Sequence, residues 1–371
     1  MLTRERTPDY KRRTVCLCAL LLTVLLPGPT LADGPNPATI DIEKVDADFA
    51  LQGEFVGTVS TAPSKFRQIA LQIRAAGDGT FEAAQYLGGL PNRRNSRLTA
   101  VQLIGRRNDD FLVLSGGPWA VLAQADHCLL VDRKGERVGR LDRVERQSRT
   151  LGVKPPKNAT VLFDGTNTDQ FTNARMTDDG LLMEGADLKP MFQDFNLHLE
   201  FMLPFMPKAR GQARSNSGVY LQSRYEVQIL DSFALEPVSN GCGGFYQFRK
   251  PDFNACFPPL AWQTYDIVFT APRWAADGAK LKNARITVWH NGLKIHNNIE
   301  LPNKTGAGKP EEPALLPIRL QNHGNPVRFR NIWLIDRGAA GAGRFPIYPK
   351  PGDEKSPKPA DEKGQQPAEK E

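Results

Sequence analysis

Short apolar runs with period-two alternation recur along two stretches of the chain, and clusters of turn residues separate them. In the first stretch the runs fall at 55–59, 69–73, 98–104, 111–114, 120–123 and 128–131, punctuated by Gly-Asp-Gly at 77–79, Gly-Gly at 88–89 and Gly-Gly-Pro at 116–118. This pattern predicts a small β-rich N-terminal domain over 33–152. No set of its residues connects to a chemistry. A second series follows at 197–201, 219–222, 225–229, 265–269, 286–289 and 318–321, again spaced by turn signals. It predicts an antiparallel sandwich over 161–337. Asn291-Gly292 between β-formers predicts a two-residue hairpin. Lys154-Pro155-Pro156-Lys157 marks a joint over 153–160, because paired prolines stiffen a connection and do not fit a central strand.

The ends read differently. Arg4, Arg6, Lys11, Arg12 and Arg13 precede an apolar run at 15–26, and small residues Thr30 and Ala32 suit cleavage before Asp33. Residues 1–32 are therefore expected to be a signal peptide; an uncleaved anchor would need about 20 apolar residues. The mature protein is expected to be secreted or periplasmic, with no membrane span. From 338 to 371 the chain is rich in Gly, Pro and charge, and only Phe345, Ile347 and Tyr348 offer large apolar groups. That composition predicts a disordered tail.

Composition then sharpens the picture. Among 371 residues, 32 Gly and 29 Pro favour a turn-rich β chain over a helical one. The formal charge of +7 raises nucleic acid as a partner. Part of that charge belongs to the leader. The series Arg137, Arg140, Arg143, Arg146 and Arg149 is interleaved with Glu136, Asp142 and Glu145, and Trp119 is the one stacking aromatic nearby. A solvated, salt-bridged surface fits this better than a nucleic-acid site.

Period-two alternation also sorts the sandwich strands by face. His198 and Glu200 lie opposite Leu197, Leu199 and Phe201; Glu226 and Gln228 lie opposite Val227; Tyr220 pairs with Gln222; Arg319, Gln321 and His323 lie opposite Ile318 and Leu320. Acids, amides, His, Arg and Tyr suit a sugar, whose hydroxyls take planar polar partners and whose ring stacks on an aromatic. The plain alternative is the water-facing side of a sandwich. Zinc at His198, Glu200 and His323 lacks tight ligand spacing, and no acidic run supports a structural Ca²⁺. No cofactor is expected.

Several blocks resemble the 3-keto-disaccharide hydrolase domain family: Leu162-Phe163-Asp164-Gly165-Thr166, the segment from Asn216 to Ser232 that includes Ser217-Gly218-Val219-Tyr220-Leu221-Gln222 and Tyr225-Glu226-Val227-Gln228-Ile229, then Trp262-Gln263-Thr264-Tyr265-Asp266 and Leu320-Gln321-Asn322-His323-Gly324. Asn322 stands where the family usually has Asp. The resemblance implies a concanavalin A-like jelly-roll sandwich with the site on its polar sheet. It also implies cleavage of glycosides already oxidised at C3, with a separate oxidoreductase supplying the ketone. The N-terminal part resembles the segment that precedes this domain in exported planctomycete-type proteins.

Two chemistries remain open. Direct glycoside cleavage needs an acid and a second carboxylate, for which Glu226, Asp231 and Glu200 are candidates. Alternatively a 3-ketone acidifies the C2 proton, so Glu226 or His323 acting as base drives elimination, with Arg319, Gln321 or Tyr220 polarising the ketone. Asn216, Tyr220, Gln222, Gln228, His198, Arg319 and Gln321 are the candidate substrate contacts. A non-catalytic carbohydrate-binding module and a ligand-free surface domain are the other readings. Outside the leader the cysteines are Cys128, Cys242 and Cys256. In an exported protein a Cys242–Cys256 disulfide is expected to close a Gly-rich, aromatic loop that walls the site.

Overall fold

The structure is a computed structural model and describes residues 38–62, 64–92 and 100–339, with 345 and 348. The leader at 1–32 and most of the tail lie outside the described residues. Among the described residues the chain is all-β: a two-sheet antiparallel sandwich preceded by a smaller barrel, with short 3-10 turns at Ile42–Lys44, Phe49–Leu51 and Gly211–Ala213.

Eight antiparallel strands close the barrel in sequence order. They are β1 (Gly53–Ala62), β2 (Lys65–Gly77), β3 (Thr80–Leu87), β4 (Val101–Asn108), β5 (Phe111–Ser115), β6 (Ala120–Ala123), β7 (His127–Val131) and β8 (Arg137–Val144). Alternate residues such as Phe55, Leu71, Ile73, Leu103, Leu114, Val121, Cys128 and Leu141 fill its interior. Two strands, β3 and β8, escape the sequence pattern. Of β8 only Leu141 is fully buried, with Val138 packed partly against the core, and the two stand three residues apart, so no period-two apolar pattern shows. The arginines here are put to specific use: Arg143 of β8 donates to Gln52 O at 2.9 Å and Ala50 O at 2.6 Å, and Arg146, just after it, pairs with the buried Glu54.

The sandwich has two sheets. The smaller runs β10 (Phe171–Thr172), β12 (Ala186–Leu188), β21 (Arg319–Leu320), β14 (Ser217–Leu221) and β15 (Tyr225–Ile229), which leaves β15 at its edge. The larger runs β11 (Leu182–Met183), β22 (Arg328–Asp336), β13 (Phe195–Met202), β16 (Trp262–Thr270), β19 (Ala284–His290) and β20 (Leu293–Leu301), with β9 (Thr160–Phe163) also paired to β22. A two-stranded ribbon, β17 (Arg273–Trp274) with β18 (Lys280–Lys282), stands apart. Val219, Leu221, Val227 and Ile229 from the small sheet meet Leu197, Leu199, Phe201 and Ile267 from the large one. That shared apolar layer turns each sheet's alternate residues outward. The Asn291-Gly292 hairpin forms as the sequence indicates, with φ of 52° and 76° joining β19 to β20.

Barrel and sandwich belong to one compact unit that begins at Asn36. Phe205 of the sandwich is 1% exposed and packs into the barrel core, and Thr39 pairs with it through two backbone bonds of 3.1 and 2.8 Å. Arg214, fully buried, donates to Ala75 O of β2 at 3.1 Å and pairs with Asp231 at 2.5 Å. The joint lies against the outer face of the large sheet, where Thr150 donates to Asp266 at 2.7 Å and Val153 and Ala159 pack. Phe345 and Tyr348, assigned by composition to the tail, pack there as well; Tyr348 stacks on Trp289 at 4.5 Å.

Candidate active site on the small sheet

The outer face of the small sheet is built from β14 and β15. Tyr225, Val227 and Ile229 point into the core, so Glu226 and Gln228 point out. On β14 Val219 and Leu221 are internal, and Gly218 and Tyr220 face outward in register with Gln228 and Glu226 respectively. The backbone of Gln321, just after β21, donates to Gly218 O at 2.9 Å. The result is a hollow of about 240 Å³ that brings together Asn216, Tyr220, Glu226, Gln228, Gln321 and His323. All six are among the residues singled out from sequence.

Glu226 sits at the centre of the hollow's chemistry. It is 3% exposed, and burial pushes its carboxyl up to about 7, with a hydrogen bond from Tyr220 pulling more weakly the other way. Burial and the adjacent Glu226 keep the Tyr220 hydroxyl protonated, hence a donor. Its space comes from two glycines. A Cβ on Gly218 would lie 2.6 Å from one carboxylate oxygen, and a Cβ on Gly306 would lie 1.9 Å from the other.

The polar wall beside it is oriented by a relay. Gln212 donates to Asn240 O at 2.8 Å; Asn216 donates to Gln212 Oε1 at 3.2 Å; Gln228 donates to Asn216 Oδ1 at 2.8 Å. Gln228 Nε2 also donates to Ser217 O at 3.1 Å, so its own carbonyl oxygen is the atom left to meet a ligand donor.

Three lining residues were not foreseen: Gln212, Tyr246 and Ala307. Tyr246 lies in the Gly-rich excursion after Cys242, which the sequence did mark as a wall. Gln212 sits in a 3-10 turn and Ala307 in the loop after β20, and neither follows a period; the small-residue run Thr305-Gly306-Ala307-Gly308 was the available signal.

Other candidates lie elsewhere. His198 and Glu200 are on β13 of the large sheet, beneath the joint. His198 bonds Asp266 at 2.6 Å and stacks on Trp333 at 4.9 Å. Glu200 accepts from Gly152 N at 2.6 Å, Arg330 at 2.7 Å and Asn331 at 2.9 Å. Although burial opposes it, those bonds and His198 hold its carboxyl down at about 2. A carboxylate so engaged cannot serve as base for the hollow. Zinc across His198, Glu200 and His323 is likewise ruled out by their separation onto two sheets, and among the described residues no group of three metal-binding side chains is gathered.

Asp231 is spent on Arg214 at the barrel contact. Gln222 follows β14 in the left-handed region at φ 48°, which breaks the alternation, and its amide donates to Phe192 O at 2.9 Å. Arg319 stands in register with Tyr220 but is half exposed and faces Asp187 at 3.6 Å. Asn322 caps the turn by accepting from Gly324 N at 2.8 Å, a role Asp fills equally.

The expected Cys242–Cys256 disulfide is absent; Cys128, Cys242 and Cys256 are free and buried. Cys242 lies 3.2 Å from the Tyr265 hydroxyl, and the Cys256 thiol donates to Phe257 O at 3.3 Å. The loop is closed by backbone pairing instead, Gly243 N to Gln228 O at 2.8 Å and Gln228 N to Gly244 O at 3.0 Å, with His296 donating to Gly243 O at 2.7 Å.

Two larger hollows, of about 690 and 680 Å³, lie at the β17–β18 ribbon and against the barrel. In the first, Arg273, Lys280 and Arg285 are paired with Asp194, Glu311 and Glu300. The acids that line them, Glu300 and Glu82, are not buried, so volume alone does not make either the reactive site.

Residues 158–335 match the model of the 3-keto-alpha-glucoside-1,2-lyase-like domain. Among solved structures, a candidate glycosyl hydrolase from Parabacteroides distasonis is 32% identical, covers 49% of this chain and 85% of its own, and has a TM-score of 0.46. A second from the same organism is 22% identical over 48% of this chain and 98% of its own, with a TM-score of 0.34. No curated protein matches the chain.

Proposed function

The chain belongs, through residues 158–335, to the 3-keto-alpha-glucoside-1,2-lyase-like family, and from that premise we propose that it cleaves 3-keto-glycosides by elimination at C1–C2. One observation carries this reading: a single buried carboxyl, Glu226, faces a sugar-sized hollow in which no second carboxylate is found among the described lining residues. Direct displacement requires two carboxylates flanking the bond. A carbon acid requires one base of near-neutral pKa and a polarised carbonyl.

In the proposed reaction Glu226 takes the C2 proton, and the released electron pair is shared with the C3 ketone as an enolate. Gln321, whose Nε2 lies 3.4 Å from the Tyr220 hydroxyl in the same hollow, would donate to that oxygen. The pair then forms the C1–C2 double bond as the C1–O bond breaks, and the departing oxygen takes a proton from His323 at the open rim. Addition of water to the unsaturated ketone completes a net hydrolysis. Gln228 and Asn216 would hold ring hydroxyls and Tyr246 would cover the ring. The leader would carry the protein out of the cytoplasm, where an oxidoreductase supplies the ketone.

The test is turnover of a 3-keto-glucoside carrying deuterium at C2. Slower release from the deuterated substrate and an ultraviolet-absorbing unsaturated intermediate are expected. Glu226→Gln should lose about 10²- to 10⁴-fold in rate, the usual contribution of a positioned base. Equal rates for both isotopologues, together with a near wild-type Glu226→Gln, would sink elimination. Tight binding of unoxidised disaccharide without turnover would favour a binding module.

A further inference from the structure

We infer that the strap at residues 303–309, between β20 and β21, is a positioning device that fixes the carboxyl of Glu226 and shields it from water, with Thr305 and Gly306 as its working residues. The inference deepens the proposed function and rests on it for the catalytic consequence.

The strap is fastened along the free side of β15. Thr305 N donates to Arg224 O at 3.0 Å, and Lys309 N donates to Ser223 O at 2.9 Å. Between these the Thr305 hydroxyl serves the backbone of Glu226 twice, accepting from its N–H at 2.7 Å and donating to its carbonyl at 3.2 Å. A side chain thus stands where a neighbouring strand would otherwise bond, and Thr305 is itself 4% exposed.

Gly306 then crosses directly over the carboxylate. Its φ of 56° lies in the left-handed region, and the 1.9 Å approach of a notional Cβ to Glu226 Oε2 leaves no room for any side chain. Lys304 donates its ammonium to Gly306 O at 2.8 Å, which pins the crossing point from the solvent side. Beyond the strap, the buried Arg224 donates to Pro310 O at 2.9 Å, and Glu311 is held by both Tyr225 and Lys280.

The groups around Glu226 do not account for a raised carboxyl by charge. Tyr220 on β14 donates to it; Arg319 on β21 and His323 beyond it are the cationic or titratable neighbours; Tyr246 closes the far side. None of these carries a negative charge, so dehydration is the remaining cause, and the strap covers the side of Glu226 that β14 leaves open, touching both its backbone and a carboxylate oxygen.

The test compares Gly306→Ala, Thr305→Val and Thr305→Ser with the wild type. The ionisation of Glu226 is followed by ¹³C NMR of labelled glutamate, assigned with Glu226→Gln, alongside kcat and KM for a 3-keto-glucoside across pH. Gly306→Ala must displace the carboxylate, so its midpoint should fall from about 7 toward the ordinary carboxylate range. A misplaced base should lower kcat by about 10²-fold while KM stays near its original value. Thr305→Val should move both readouts in the same direction and Thr305→Ser should restore them. Should Gly306→Ala fail to fold, the threonine pair decides. A wild-type midpoint in folded Gly306→Ala or Thr305→Val overturns the inference. A shifted midpoint in a protein that turns over no 3-keto-glycoside keeps the strap's role and removes the functional reading instead.

Discussion

Glu226 carries a cost for the fold. Its carboxyl, near 4.5 when unperturbed, is raised to about 7 by burial, so the native state holds its proton more tightly than the unfolded chain does. The linkage sign follows: this residue's effect on stability is absent below about pH 4, grows unfavourable as pH rises between the two values, and levels off above 7. The difference corresponds to about 3 kcal/mol. Glu226→Gln is therefore expected to be more stable than wild type by up to about 3 kcal/mol at pH 8 and nearly equal to it at pH 4, as read by urea unfolding at both pH values. A stability gain that does not depend on pH would show that the carboxyl is not dehydrated.

The strands explain which parts of the site were legible. Alternation placed Tyr220, Glu226 and Gln228 on one face because β14 and β15 keep strict register. The same rule was equally clear for His198 and Glu200, yet it reports only the side away from the strand's own core. It cannot say which of two sheets the strand joins, and β13 joins the other one. Gln222 was misread because two successive left-handed residues end the period at Leu221. Loop residues such as Gln212 and Ala307 carry no period to read. The relay through Gln212 offers a measurement at this scale. Asn216→Leu removes both the acceptor and the donor that orient Gln228, so KM should rise by about tenfold, the worth of one hydrogen bond, with kcat little changed. An unaltered KM would mean that Gln228 does not contact substrate.

At the level of the whole molecule, the barrel and the sandwich were legible as two β units, but their contact was not. The residues that make it, Arg214, Asp231 and Phe205, sit in turns and connections of the sandwich and carry no sign of a partner surface. Asp231 looked catalytic because it falls in the block shared with the family; its position gives it a different task. Removing it leaves the Arg214 guanidinium, 0% exposed, without its counter-charge. Asp231→Ala should accordingly lose about 3–5 kcal/mol of stability. The fraction that remains folded should turn over substrate at the wild-type rate. A stable Asp231→Ala with no activity would restore it to the reaction.

Strand β15 ends the small sheet, and an uncovered strand at that position is a template on which a foreign chain can pair and aggregate. Here its free backbone groups are taken up by Gly243, Gly244 and the strap. The bonds that hold the Glu226 backbone are thus the same bonds that keep the sheet from recruiting another molecule. A variant whose strap swings clear would lose its chemistry and its colloidal protection together, so turbidity on storage should track the loss of activity across strap mutants.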